Sequence, residues 1–160
     1  MPPLNPTPRR PCVQCNGTTK RPNNPRCRLM TCKFAPKCYH HTQIRVGQSN
    51  IPNGGRGVFA KERIRKDTII SNMTLGTERM DEATFNQRYS NRRATHVVKI
   101  GRSYYDATNA NKSISGMFNH RDTAHCPKNA KLQNSGTVKT IKAIPAGREI
   151  CISYGPAYRV

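Results

Sequence analysis

Residues 117–132 read MFNHRDTAHCPKNAKL, and the fold turns on which of these side chains matter. Two histidines and a cysteine, His120, His125 and Cys126, fall within seven positions. As metal ligands they would make a metalloprotein, and as a Cys/His nucleophile pair a hydrolase. If Asn119 and Asn129 are the informative residues instead, His125 and Cys126 are loop. The hydrolase reading is the weakest: no motif around Cys126 supplies a base and oxyanion donors, and adjacency in sequence does not guarantee facing geometry.

Working outward, charge is the next constraint. The 160 residues carry 28 Lys+Arg against 8 Asp+Glu, a formal +20, and Glu62 is the first acidic residue. Such an excess costs self-repulsion in a compact chain and favours polyanionic partners, nucleic acid or a nucleosome surface. The start, MPPLNPTPRRP, has no apolar run suited to a signal peptide, and no stretch approaches membrane-spanning length. No membrane partner is expected. Without an export signal, the 7 cysteines are expected as reduced thiols of nucleus or cytosol, where clustered cysteines read first as metal ligands.

Three regions differ in texture. Residues 1–11, rich in Pro and Arg, read as a disordered basic arm. Residues 12–43 hold five of the cysteines and few sizeable apolar groups. From 44 to 160 the chain breaks into short β-branched or aromatic runs: RGVFA, DTIISN, THVVKI, SYYDA, TVKTIKAI and EICISY. Gly54-Gly55, Gly101, Ser135-Gly136 and Pro145-Ala146-Gly147 supply turns. One stretch, TERMDEATFNQRYSNRR, has helical spacing, with Met80, Ala83, Phe85 and Tyr89 on part of a face. The expectation is a compact, mostly β domain behind a small cysteine-rich module.

The cysteine order is Cys12-x2-Cys15, Cys27-x4-Cys32, then Cys38-x-His40-His41. A two-residue spacing lets two thiolates face one tetrahedral ion, and later cysteines or a histidine can close the site. A segment with so little apolar bulk commonly substitutes a metal for a core. The candidate ligands are Cys12, Cys15, Cys27, Cys32, Cys38 and His41, for structural Zn2+. They exceed one site and fall short of two unless a ligand is shared. The absence of a carboxylate in the segment argues against a catalytic metal.

Three segments of the second half carry chemistry: GGRGVFA (54–60), FNHRDTAHCPKN (118–129) and AIPAGREICISYGPAY (143–158). Paired glycines let backbone approach a ligand closely. With Tyr105-Asp106-Ala107 between the first two, the order and content resemble the SET-domain family of protein lysine methyltransferases. The family's G-x-G-V-F-A strand matches Gly55–Ala60, and its N-H-S-x-x-P-N motif matches Asn119-His120 continued by Pro127 and Asn129. Its G-E-E-[LI] turn matches Gly147-Arg148-Glu149-Ile150, followed by Tyr154. The resemblance covers about residues 44–160, and ISYGPAY looks like the short virus-encoded members. Arg121 stands where the family has serine, residues are added before Pro127, and Arg148 replaces the first acidic residue of the turn.

The resemblance implies a mostly β, SET-domain fold with knot-like C-terminal threading, binding S-adenosylmethionine and a target lysine from opposite faces. It implies cofactor contacts from Gly55, Arg56, Gly57, Asn119, His120 and Tyr154. Tyr154 is implied as catalytic where the methyl crosses, and Tyr158 as lining the lysine channel. The substrate implied is histone or another lysine-bearing basic protein, in the nucleus (a host nucleus if viral), otherwise the cytoplasm. The alternative is a non-catalytic, zinc-containing nucleic-acid- or chromatin-binding protein using the fold as scaffold. On this reading His125 and Cys126 lie in added loop length, His96 and His125 are solvated, and Cys151 is a small buried hydrophobe.

Overall fold

The structure is a computed structural model that describes residues 12–109 and 112–154. The basic arm of residues 1–11, together with Asn111 and Tyr158, lies outside the described residues. Among those described, strand dominates: β1 Val13–Gln14, β2 Met30–Thr31, β3 Ile44–Gln48, β4 Arg56–Ala60, β5 Ile69–Asn72 and β6 Glu78–Met80. A short helix, α1 Glu82–Arg88, precedes β7 Val97–Ile100, β8 Ser103–Asp106, β9 Asn119–His120, β10 Ala130–Leu132, β11 Thr137–Thr140 and β12 Glu149–Ile152. All six runs that read as strands in the sequence are strands.

The sheet that positions the site has the order β3-β4-β12-β9. β12 is its inner strand. It pairs antiparallel with β4 through Glu149↔Phe59 and Ile150↔Val58, and parallel with β9 through Cys151↔Asn119 and Ile152↔His120. A strand enclosed on both edges and both faces has no polar side, which is why EICI is buried throughout. After β9 the chain loops over residues 121–128 and returns. Arg121 N–H donates to Ile152 O (2.8 Å), and Asn129 N–H to Cys151 O (3.2 Å). The Asn129 side chain bonds β12 twice, donating to Glu149 O (2.9 Å) and accepting from Cys151 N–H (3.0 Å). The loop therefore clasps the C-terminal strand, as the knot-like expectation required.

Around this sheet, β10-β11-β5 and β6-β8-β7 form two further three-stranded sheets. The core gathers Ile44, Val58, Ile64, Phe118, Ile144 and Ile150, all at most 1% exposed. At about 2 kcal/mol for each large side chain removed from water, such a cluster drives the assembly. The helix is shorter than its sequence spacing suggests. Asp81 caps it by accepting from Thr84 N–H (2.8 Å), so Met80 belongs to β6 and is buried there, not on the helix face. Helix and sheet are tied by Phe85 stacked on Tyr104 (4.1 Å), Arg88 forked onto Glu78 (2.7 and 2.8 Å), and the Tyr89 hydroxyl bonded to Asp106.

The cysteines depart from the all-reduced expectation. Cys12 and Cys32 are joined by a disulfide, and so are Cys126 and Cys151; Cys15, Cys27 and Cys38 are free and buried. The β1–β2 ladder explains the first bond: its register, Val13↔Thr31 and Gln14↔Met30, brings Cys12 opposite Cys32 as the next pair. Cys126 is folded back by its bridge with Asp122 onto the buried strand carrying Cys151. Cys151 is buried as expected, but as half of a cross-link. Separations of 20 and 25 residues hid both pairings from a linear reading.

The cysteine-rich module is seated on the β domain. Ile114 N–H donates to Lys33 O (3.3 Å), Phe34 packs against the core, and Pro36, Lys37 and Thr42 meet Ile69 and Ile70 across a small cleft.

Candidate active site and metal centre

The β9–β12 pairing sets Asn119, His120 and Tyr154 side by side. His120 Nδ1 accepts from Tyr154 N–H at 3.0 Å, which places the ring proton on Nε2, and the two rings lie 5.2 Å apart. The Tyr154 hydroxyl donates to Phe118 O at 2.5 Å, and Tyr154 remains 42% exposed. Desolvation pushes the His120 pKa below its ordinary value, and the Arg121 charge adds to the shift. The neutral imidazole is thus the form that fits an acceptor role.

Asn119 uses both amide hydrogens on the protein: Nδ2 donates to Arg56 O (3.0 Å) and to Glu149 Oε1 (3.1 Å). Two acceptors on one side fix which atom is nitrogen. Glu149, 1% exposed, also accepts from Ser49 Oγ (2.7 Å) and, on Oε2, from Asn50 N–H (2.8 Å). One buried carboxylate thus ties the loop after β3, the entry of β4 and the Asn119 amide to β12. Burying a carboxylate is tolerable only with such a set of donors.

The glycine segment divides into two roles. Gly55 has φ +62° and nothing within 4 Å of where a Cβ would lie, leaving open space at an exposed turn beside exposed Arg56. Gly57 is buried, and a Cβ there would lie 2.3 Å from Glu149 Oε1. Its lack of a side chain serves the carboxylate hub. The glycine turn, the Asn119 side-chain oxygen, which has no hydrogen bond among the described residues, and the neutral His120 form a polar rim beside exposed Arg56 and Tyr154. That donor and acceptor set fits a zwitterionic nucleoside cofactor.

The second arrangement lies in the N-terminal module. Donor atoms of Cys15, Cys27, Cys38 and His41 all lie within 4.8 Å of one another. Cys27 Sγ is 4.0 Å from Cys38 Sγ, and His41 Nδ1 is 3.5 and 3.3 Å from the Cys15 and Cys38 sulfurs. A tetrahedral ion with zinc–ligand distances of about 2.0–2.3 Å has ligand–ligand edges of roughly 3.5–3.8 Å. The cluster fits a Cys3His zinc site. Burial opposes ionisation of Cys15, but N–H donors from Cys38 (3.1 Å) and Gly17 (3.3 Å) outweigh it and hold the thiol at about 7. Burial raises Cys38 instead.

Of the six ligands expected from sequence, four converge. Cys12 and Cys32 do not, because the β1–β2 ladder commits them to each other, so the Cys12-x2-Cys15 pair does not share an ion. His40 is exposed, its ring tilted against that of Tyr39 (3.8 Å between centroids). Gly17 is a residue the sequence reading missed: a Cβ there would lie 2.5 Å from His41 Cγ, so only glycine lets the imidazole close the cluster. Ser49, Asn50 and the structural weight of Glu149 were also missed. The available signal was one charge at the head of an otherwise apolar strand. His125 is exposed beside Asp122 (3.1 Å), and His96 is half-buried. Cys126, in a disulfide, is no nucleophile.

The SET-domain family model matches residues 55–155, more than half of the chain. The chain belongs to the SET-domain family. No curated protein matches the sequence. Among solved structures, this SET domain is similar to the Chaetomium thermophilum polycomb repressive complex 2, with TM-score 0.58, 18% identity, and 73% of this chain and 16% of that chain covered. It is likewise similar to ctPRC2 in complex with H3K27me3 and H3K27M, with TM-score 0.59, 18% identity, and 74% and 15% covered. The SET chain thus spans about a sixth of the length of these neighbours, and the likeness is one of fold. Among the described residues no helix is long and apolar enough to cross a membrane.

Proposed function

We propose that the protein is an S-adenosylmethionine-dependent protein-lysine N-methyltransferase acting on a histone or another basic protein. The observation that carries this is the parallel β9–β12 pairing, which brings Asn119, His120 and Tyr154 to one polar rim. Two of the departures from the family motif, Arg121 and Arg148, leave this pairing intact. Arg121 projects to the surface while its N–H completes the ladder, and exposed Arg148 leaves the buried acidic position to Glu149.

When bound, the cofactor supplies a sulfonium-activated methyl group. The protein's part is alignment: Gly55, Arg56, Asn119 and His120 hold one reactant, and Tyr154 orients the other. The Tyr154 hydroxyl, held to Phe118 O, and neighbouring backbone carbonyls present oxygen toward an incoming amine. That amine must be neutral, and an apolar channel beside a cation lowers its pKa. Tyr158 is proposed to line that channel. Zn2+ at Cys15, Cys27, Cys38 and His41 is proposed as structural, with the carboxylate-free module docking on nucleic acid or nucleosome in the nucleus. The similar fold of ctPRC2 in complex with H3K27me3 and H3K27M supports a histone substrate by analogy.

The test is methyl transfer to histones and nucleosomes by wild type and Tyr154→Phe, alongside cofactor titration. Transfer by wild type, reduced about 100-fold or more in the variant with cofactor binding retained, is the expected result. Cofactor binding without transfer to any basic substrate would sink the enzymatic reading. Absence of thermal stabilisation by the cofactor would favour the scaffold reading.

A further inference from the structure

We propose that Glu149 is a positioning residue: it fixes the polarity of the Asn119 amide so that only the amide oxygen faces the cofactor, making the site selective for a ligand with a free α-ammonium. The inference rests on the methyltransferase reading and adds a residue to it.

The argument is one of valences. Arg56 O and Glu149 Oε1 accept the two Asn119 hydrogens, and neither can donate. Asn119 therefore cannot turn over, and its oxygen is the only atom it offers outward. A carboxylate behind the amide withdraws nothing from that oxygen and strengthens its pull on a positive donor. On the amino-acid end of S-adenosylmethionine the positive donor is the ammonium. In a chain with 28 Lys+Arg and 8 Asp+Glu, acceptors for a cation are scarce, and Glu149 supplies this one through Asn119.

The hub makes the polarity testable. Oε2 of Glu149 faces Asn50 N–H, which only donates, so in Glu149→Gln the amide oxygen takes that place. The new NH2 then points at Ser49 Oγ and at the Asn119 NH2. Serine can accept; the two NH2 groups clash, while a turned Asn119 would set its oxygen against Arg56 O, so the amide loses its single favoured orientation. Glu149→Asp keeps a carboxylate that only accepts and introduces no donor, so nothing turns the Asn119 amide over.

The experiment is calorimetric binding of S-adenosylhomocysteine and of its desamino analogue to wild type, Glu149→Gln, Glu149→Asp and Asn119→Ala, with thermal unfolding confirming that each is folded. Wild type should prefer the amine-bearing ligand by about 10-fold or more. Glu149→Asp should keep that preference, whereas Glu149→Gln and Asn119→Ala should reduce it to within about 3-fold. An undiminished preference in Glu149→Gln, or in Asn119→Ala should the glutamine variant not fold, overturns the proposal while leaving the cofactor reading standing. Wild type binding neither ligand removes the cofactor reading and this inference with it.

Discussion

Replacing Gly57 by alanine puts a methyl carbon 3.0 Å from Glu149 Cδ and 2.3 Å from its Oε1, the latter more than 1 Å inside ordinary contact at 3.4 Å. The carboxylate cannot simply swing away, because Ser49, Asn50 and Asn119 hold it from three sides. Moving Oε1 forfeits the Ser49 and Asn119 bonds, and bonds to a charged group are worth about 1.5–3 kcal/mol each. Overpacking strain adds about 1–3 kcal/mol. The sum is about 4 kcal/mol or more, a fall in Tm of roughly 8–16 °C for a domain of this size. The assay is urea and thermal unfolding of a double-mutant cycle. In a Glu149→Ala background the obstructing atoms are gone, so the same Gly57→Ala change should cost less than about 1 kcal/mol. Gly55→Ala is the companion control. With φ +62° and open space around it, that change should cost about 1 kcal/mol of backbone strain in either background. If Gly57→Ala costs the same with and without Glu149, or nothing at all, the carboxylate hub is not what requires glycine.

Other outcomes follow from the same geometry. The His120 pKa is lowered by burial and by Arg121, so the unfolded chain takes up its proton first as pH falls. Stability from this residue is full above the ordinary imidazole value of about 6.5 and declines below it, toward the folded pKa. Urea unfolding from about pH 7.5 to about pH 5 should show this decline in wild type and not in His120→Phe; parallel curves would refute it. Chelation, or Cys38→Ser, should unfold the N-terminal module and lower Tm, with released zinc read by a chromophoric chelator; a Tm unmoved by chelation would exclude a structural metal. Cys126→Ser opens a 25-residue cross-link onto β12 and should cost about 3 kcal/mol; reductant, which also opens Cys12–Cys32 in both proteins, should destabilise wild type by about that much more than the variant.

The sequence by itself determined the β character, the six strands and the order of the family motifs. Each of these is written in neighbouring residues: alternation, β-branched runs, glycine turns. It also singled out Asn119, His120 and Tyr154, which the β9–β12 pairing sets side by side. What it left open were questions of partner choice between distant residues. Six candidate ligands were visible, and only the β1–β2 register removed Cys12 and Cys32, leaving Cys15, Cys27, Cys38 and His41 to converge. Helical spacing overran its true start because Asp81 caps the helix and β6 claims Met80. Glu149 read as one acidic residue in a turn. Only folding, by drawing it 99 and 100 residues back toward Asn50 and Ser49, made it the buried centre that the polar rim is built around. Periodicity records what a residue does to its neighbours. A thiol's partner or a carboxylate's donors come from chain far away in sequence, and that choice is made by packing.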